Sequence, residues 1–388
     1  MIKKFKIEAW HRKIVTKRTL LKVLSFIDHN PDISTPVLLM DEEKIAENVS
    51  LIGKNIQNSK VFYAVKANSD EKILKILKNY KIGFEIASEG ELDLLINLNI
   101  NPDLIISSNP IKSINFIKKA YSYGVKFFAF DSFTELEKLD KYAPGCNVYV
   151  RISVPNEGSE WPLSKKFGVE LDEAFELLKR AKELNLNPIG ITFHVGSQCL
   201  NLYNWYIAID KARQLWERAI ENKIELKVLN IGGGYPINYT KIAPKINEIE
   251  QYVAKLLKEK IPGDFEVHIE PGRAVIGDAG IMVTKILGKA VRNYENWLYL
   301  DVGVFNGLME SLGGIKYTYI VEVKSDKCKY KKWTVAGPSC DSMDVIDKHV
   351  DLPDVEEGSL VLILSAGAYT VSYASEFNGF PIPKVILI

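Results

Sequence analysis

Between Lys60 and about Val275, short runs of β-branched and aromatic residues alternate with longer segments whose apolar positions recur at helical spacing. The runs are VFYAVKA (61–67), IGFEIAS (82–88), LIISSNP (104–110), KFFAFDS (126–132), NVYVRIS (147–153), IGITFHVGS (189–197), LKVLNIGGG (226–234) and FEVHIEPG (265–272). Their composition predicts eight buried strands. Between them, stretches such as DEAFELLKRAKELN and YNWYIAIDKARQLWERAIEN repeat apolar residues at i, i+3, i+4 and i+7, the stripe of a helix that buries one side. Eight strand–helix units in about 215 residues predict a (β/α)₈ barrel, whose working groups stand at the C-terminal ends of its strands. After about Ile276 the pattern changes. IMVTKIL, NWLYLDVG, YTYIVEV, KWTVAG and SLVLILSAG follow one another without long helices and predict a second, all-β domain.

The barrel pattern makes the polar residues at the strand ends a candidate site. Lys66 closes the first strand, Glu85 lies in the second, Arg151 in the fifth, His194 and Ser197 end the sixth, Gly232, Gly233 and Gly234 the seventh, and Glu270 the eighth, followed by Gly272 and Arg273. Lysine is almost never buried unless paired or chemically employed. A glycine triplet after the seventh strand, with Gly272-Arg273 after the eighth, offers backbone N–H groups that approach an anion closely, as phosphate binding at a barrel mouth requires. A lysine amine, a phosphate cradle and a facing carboxylate together point to pyridoxal phosphate, with Lys66 holding the cofactor and a buried setting lowering its pKa. Glu270 beside the pyridine nitrogen would keep that nitrogen protonated and make the ring an electron sink, which suits decarboxylation. His194 would stack on the ring. Cys340, in the loop AGPSCDSMDVI of the β-domain, offers a thiol that could deliver a proton. Each residue also has a structural reading. Lys66 could reach solvent along its stem, Glu270 could pair with Arg273, His194 could be a satisfied core histidine, Gly232–Gly234 could be a loop, and Cys340 could act as a small apolar residue.

Composition narrows the classes. The 388 residues are 47% hydrophobic and carry 50 Lys+Arg against 49 Asp+Glu, a net charge of +1. That balance gives no basic stripe for nucleic acid. No apolar run approaches the roughly 20 residues that span a bilayer, and MIKKFKIEAWHRKIV lacks the apolar core of a signal peptide. These features predict a cytoplasmic protein without a nucleic-acid or membrane partner. Cys146, Cys199, Cys328 and Cys340 are scattered with no CxxC pair, which argues against both a disulfide framework and a zinc site.

YAVKAN, FEIASEGEL, EWPLSKKFG, FHVGSQ, NIGGGYP, IEPGR, GPSCDSMD and GAYTVSYASEFNGF stand in the order found in the fold type III, or alanine-racemase-fold, pyridoxal-phosphate decarboxylases, and the sequence resembles that family from about Thr35 to its C-terminus. It is most similar to the short bacterial ornithine/lysine decarboxylases. The resemblance implies a cofactor-binding barrel over residues 36–275 and a β-domain made of 1–35 plus 276–388. It implies Lys66 as the cofactor-linked lysine, His194 as the ring-stacking group and Glu270 as the pyridine-nitrogen partner. Ser197, Gly232–Gly234, Gly272, Arg273 and Tyr369 resemble the phosphate cradle. Glu85 takes the place of a family carboxylate near the cofactor, Arg151 that of a pocket arginine, and Lys166 lies in a loop over the site. Cys340 and Asp341 match a pair that reaches into the active site of a partner subunit in a head-to-tail homodimer, with Phe377 also on the substrate side.

One departure concerns the substrate. Relatives acting on ornithine or lysine place an acidic residue shortly after the DVG motif to receive the distal ammonium. Here DVGVFNGLMESLGGIKY is one residue shorter, and Leu312-Gly313-Gly314 occupies that place. An unpaired buried ammonium is costly, so Asp341, or Glu310 shifted inward, would have to serve. The expected activity is therefore decarboxylation of ornithine or lysine to a diamine such as putrescine or cadaverine. The alternative is a modified or carrier-bound amino acid, as in siderophore and antibiotic pathways. A racemase would carry an arginine at the pyridine nitrogen, a non-catalytic relative would lack Lys66 or Cys340, and diaminopimelate decarboxylases differ around the cysteine.

Overall fold

The computed structural model describes residues 4–161, 166–325 and 327–388. They divide into two compact units, Val49–Pro236 with Pro244–Gly272, and Met1–Asn48 with Ile237–Ala243 and Arg273–Ile388. Among the described residues no helix is long and apolar enough to cross a membrane.

The first unit is a closed parallel barrel of eight strands, Ser59–Ala64, Gly83–Glu85, Ile105–Ser107, Phe127–Phe130, Asn147–Arg151, Asn187–Thr192, Val228–Asn230 and Glu266–Ile269. Each falls on a run that the hydrophobic pattern marks. The strands are shorter than those runs because the polar ends turn out of the ladder. The first stops at Ala64, and Lys66 sits in the 3₁₀ turn Val65–Ala67 that follows. The two long amphipathic stretches form the helices Leu171–Glu183 and Tyr203–Glu221, which bury Ala174, Leu177, Leu178 and Ala181, and Trp205, Ala208, Ile209 and Ala212, at the expected spacing.

The second unit is an eight-stranded sheet. Gly280–Arg292 is its longest strand, pairing antiparallel with Val37–Met40, Glu295–Leu300 and Leu360–Ile363. Helix Lys17–His29 is capped by the Thr16 hydroxyl, which accepts the Thr19 N–H at 3.1 Å. It packs Leu20, Val23 and Ile27 against Val37, Leu39, Ile281, Val283 and Leu362.

The boundary expected at residue 36 therefore lies further on. Val37–Met40 completes the second unit's sheet, paired also with Lys384–Leu387, and carries the chain to Asn48 with it. The excursion Ile237–Ala243 joins the same unit because the Thr318 and Ser365 hydroxyls donate to the carbonyls of Tyr239 and Asn238, both at 2.8 Å. Strands Val345–Pro353 and Lys384–Leu387 were not marked by the pattern. The former exposes Lys348 and His349 and breaks its apolar positions with Asp347–His349 and Asp351, so it reads as a loop until its partner Tyr330–Ala336 is known.

Candidate active site

Strand register builds the barrel mouth. Arg151, Thr192, Asn230 and His268 are successive partners across four adjacent strands. Side chains alternate along a strand, so positions two residues further on share a face one layer higher. Those positions are His194, Gly232 and Glu270. The backbone bonds from Ile231 N–H to His268 O (3.0 Å) and from Glu270 N–H to Gly232 O (2.8 Å) continue the ladder there. Next round the barrel from the eighth strand, Ala64 pairs with Glu85, and Lys66 follows Ala64 two residues later. These side chains line one cavity of about 130 Å³, which includes Lys66, Glu85, Ser108, Arg151, His194 and Glu270.

Within the cavity the groups are differentiated by their partners. Lys66 Nζ stands 3.7 Å from Glu85 Oε2, and the lysine side chain is 48% exposed. The expected burial of Lys66 is thus corrected: the strand ends before it and the turn presents it at the mouth. His194 is half-buried, and desolvation first, then the Arg151 and Lys66 cations, holds its pKa well below the ordinary value. The neutral ring accepts the Gly196 N–H at Nδ1 (3.0 Å), so its own proton is on Nε2. Burial also lowers the Arg151 pKa, opposed by the Glu270, Asp131 and Glu85 carboxylates. The guanidinium stands 5.4 Å from the Phe167 ring centre.

Glu270 is 9% exposed, and its pKa is raised to about 7, mainly by burial and then by Glu85. Three residues that the sequence did not single out hold it. Ser108 Oγ and Asn230 Nδ2 both donate to Oε1, the latter at 2.5 Å. Tyr149 O–H donates in turn to Ser108 Oγ at 2.9 Å. Asn230 was hidden inside the run LKVLNIGGG next to the glycine triplet, where a lone amide among apolar residues was the available signal. Glu91, whose carboxylate accepts the Ala87 N–H at 2.7 Å, is also pushed up to about 7 by burial and Glu85.

The glycine triplet is required by packing at the strand ends. Gly232 has φ +64° and a Cβ there would run into the Phe193 carbonyl; Gly234 has φ +98° and faces the Gly196 carbonyl. Ser197 opens a two-stranded ribbon, Ser197–Cys199 against Ser159–Trp161. Residues 162–165 of the EWPLSKKFG stretch lie outside the described residues. Lys166, which follows them, stands 5.0 Å from the Phe167 ring centre.

The second unit holds a separate cluster. Arg273 is buried and donates from Nη1 to Tyr239 O–H (2.6 Å) and Glu310 Oε2 (2.7 Å), and from Nη2 to Glu310 Oε1 (2.7 Å). The Tyr369 ring lies 4.8 Å from the guanidinium, with Tyr369 at the unusual φ of +56°. Glu310, expected near the substrate's distal end, is thus paired with Arg273, while Leu312 is exposed. Cys340 is exposed, with both its N–H and its thiol 3.2 Å from Asn378 Oδ1. Its loop is tied down by buried Asp344, whose carboxylate accepts the N–H groups of Val304 (2.7 Å) and Ser339 (2.9 Å). Asp341 Oδ1 accepts the Met343 N–H at 2.8 Å, and the Phe377 ring packs tilted against Phe305, centroids 4.7 Å apart.

The barrel-mouth donor set suits pyridoxal phosphate. It offers a solvent-reachable primary amine, a neutral imidazole, and a carboxylate with one oxygen fixed by two neutral donors. Residues 42–277 match the family model described as pyridoxal-dependent decarboxylase, pyridoxal binding domain. The chain belongs to this decarboxylase family. Among curated relatives of this pyridoxal-dependent decarboxylase, the lysine/ornithine decarboxylase of Selenomonas ruminantium is 35% identical over 92% of this chain and 90% of its own. Among solved structures, the lysine/ornithine decarboxylase of Vibrio vulnificus complexed with putrescine superposes with a TM-score of 0.85 at 30% identity, covering 97% of this chain and 99% of that one. The arginine decarboxylase of Paramecium bursaria Chlorella virus bound to agmatine gives a TM-score of 0.88 at 28% identity, covering 95% and 100%. The decarboxylase is accordingly a pyridoxal-phosphate carboxy-lyase of the alanine-racemase fold.

Proposed function

We propose that this decarboxylase acts on an L-amino acid with a cationic side chain, of ornithine or lysine type, and releases a diamine such as cadaverine or putrescine. The observation that carries the reading is Glu270, a carboxylate fixed through one oxygen by Ser108 and Asn230 in the same cavity as Lys66 and His194. Similarity to lysine/ornithine decarboxylases over nearly the whole chain supports the substrate class.

Each side chain has a role derived from its setting. The Lys66 amine holds the cofactor, and Glu85, 3.7 Å away, pairs with it when it is charged. His194, neutral, covers the ring face without adding a positive charge. Glu270 keeps the pyridine nitrogen protonated. Pyridoxal phosphate, when bound, supplies the ring that takes up the electron pair left as carbon dioxide departs. Cys340 then gives the proton from its Sγ to the substrate's Cα, its thiol steered by Asn378. Ser197, Gly232–Gly234, Gly272, Arg273 and Tyr369 bind the phosphate, Arg151 completes the pocket, and Asp341, with Phe377 beside it, receives the distal ammonium.

The working unit in this reading is a homodimer in which Cys340 and Asp341 serve the other copy's site. Cys340 is exposed among the apolar Met343 (57% exposed), Tyr373 and Phe377, a surface suited to a second copy. No disulfide joins the four cysteines, in keeping with a cytoplasmic location. One observation favours a second reading. With Glu310 committed to Arg273 and Leu312 exposed, the loop after the DVG motif leaves the distal end to Asp341, which would suit a modified or carrier-bound amino acid.

Release of carbon dioxide by the holoenzyme is the test, with L-ornithine, L-lysine, L-arginine, meso-diaminopimelate and an ornithine analogue lacking the distal amine as substrates. Turnover of ornithine or lysine is the expected result. No turnover of any, with the bound-cofactor spectrum intact, overturns the diamine reading in favour of the conjugated substrate.

A further inference from the structure

Glu310 is already committed to a cation of its own chain. Both of its oxygens accept from Arg273, at 2.7 Å each, in the fork-to-fork geometry that fixes a guanidinium in one plane. Both side chains are 3% exposed. The setting is aromatic on several sides. Tyr239 accepts from Nη1, its ring lies 5.7 Å from the guanidinium, Tyr369 covers it at 4.8 Å, and Tyr317 packs edge-on against Tyr239 at 5.6 Å. A buried charge pair of this kind contributes little net stability compared with apolar residues of the same size, whereas removing one member leaves the other charge uncompensated. Its worth therefore lies in orientation. Arg273 follows directly on Gly272 at the end of the eighth barrel strand, and an arginine on a long, flexible stem binds a phosphate well only when its fork is held in advance.

We propose that Glu310 is a positioning residue for Arg273, fixing its guanidinium for the cofactor's phosphate, and that it takes no part in binding the substrate's distal ammonium. The inference rests on the reading of Arg273 as a phosphate ligand. It assigns the carboxylate of the 309–313 turn to the cofactor side, so that Asp341 alone, supplied by the second copy, faces the substrate's far end.

The experiment compares pyridoxal phosphate with pyridoxal, which lacks the phosphate, by equilibrium dialysis of the Lys66-linked cofactor read from its visible absorbance. The proteins are the wild type, Glu310→Gln, Glu310→Asp and Arg273→Ala. Glu310→Gln is expected to weaken pyridoxal phosphate by roughly tenfold to a hundredfold, the range lost when a group that orients a ligand-binding side chain is removed, and to leave pyridoxal nearly unchanged. Glu310→Asp, which keeps the charge, is expected to fall between and also serves if the glutamine variant folds poorly. At saturating cofactor, the KM for L-lysine is expected to stay at the wild-type value. Equal weakening of both ligands, no weakening, or tighter binding of pyridoxal phosphate in Glu310→Gln overturns the proposal, as does a rise in lysine KM at full cofactor occupancy. Arg273→Ala separates the two levels. If it shows the phosphate-selective loss and Glu310→Gln does not, the positioning role falls and the phosphate reading stands. If Arg273→Ala itself shows no such selectivity, both fall together.

Discussion

Asn230 grips Glu270 and the glycine loop at once: its Nδ2 donates to Glu270 Oε1 at 2.5 Å while its Oδ1 accepts the Gly232 N–H at 2.9 Å. The amide is thereby fixed in orientation, and the seventh strand sets the position of the Glu270 carboxylate at the end of the eighth.

Replacing Asn230 or Ser108 with alanine removes one of the two donors on Oε1. The carboxylate loses orientation and part of its anionic preference, so kcat is expected to fall by roughly tenfold to a hundredfold, with a smaller change in KM. Steady-state carbon dioxide release checks this, and the double variant should lose less than the product of the two single losses because the donors share one oxygen. Unaltered kcat in both single variants would remove them from the site's working parts.

The raised pKa of Glu270 has a consequence for the cofactor-free protein. Between about 4.5 and about 7 the folded state keeps a proton that the unfolded chain has released, so stability falls as pH rises through that window. At about 1.4 kcal/mol per pKa unit over that window, the contribution is on the order of 3 kcal/mol. Glu270→Gln cannot titrate. Its stability relative to the wild type should therefore improve from pH 5 to pH 7.5, as measured by urea unfolding, and a constant difference would contradict the burial argument. With cofactor bound, the same substitution should abolish efficient decarboxylation.

Lys66→Ala is expected to lose the covalently held cofactor and all measurable turnover. Cys340→Ala should retain the cofactor but return aberrant transamination products, because the proton no longer arrives at Cα from the thiol. If the sites are shared between copies, mixing the two inactive or impaired proteins restores one complete site per hybrid dimer and therefore activity. A mixture no more active than its components would place both residues in one subunit's site.

Asp344 is 3% exposed and accepts N–H groups from both Val304 and Ser339, while Gly303 and Gly337 leave no room for a Cβ beside its carboxylate. Asp344→Ala orphans one buried and one part-buried donor and should cost about 2–4 kcal/mol. Chemical denaturation measures the loss, and the Cys340 loop should become the first protease-sensitive segment.

The barrel was legible in the sequence because buried parallel strands and one-sided helices each impose a local periodicity, eight such units suit a closed barrel, and each of the eight runs overlaps its strand. Lys66, Glu85, Arg151, His194 and Glu270 were legible as site candidates for the related reason that polar groups at the ends of such runs face the mouth. What the sequence could not carry is register and partnership between distant segments. That Val37–Met40 belongs with Gly280–Arg292 depends on a hydrogen-bond ladder spanning more than two hundred residues. That Ser108 and Asn230 converge on one oxygen of Glu270, and that Glu310 turns to Arg273, depends on where three-dimensional packing leaves a buried charge its best partner. Periodicity is a local property and survives in one dimension. The satisfaction of buried polar groups is settled only when the chain has closed on itself.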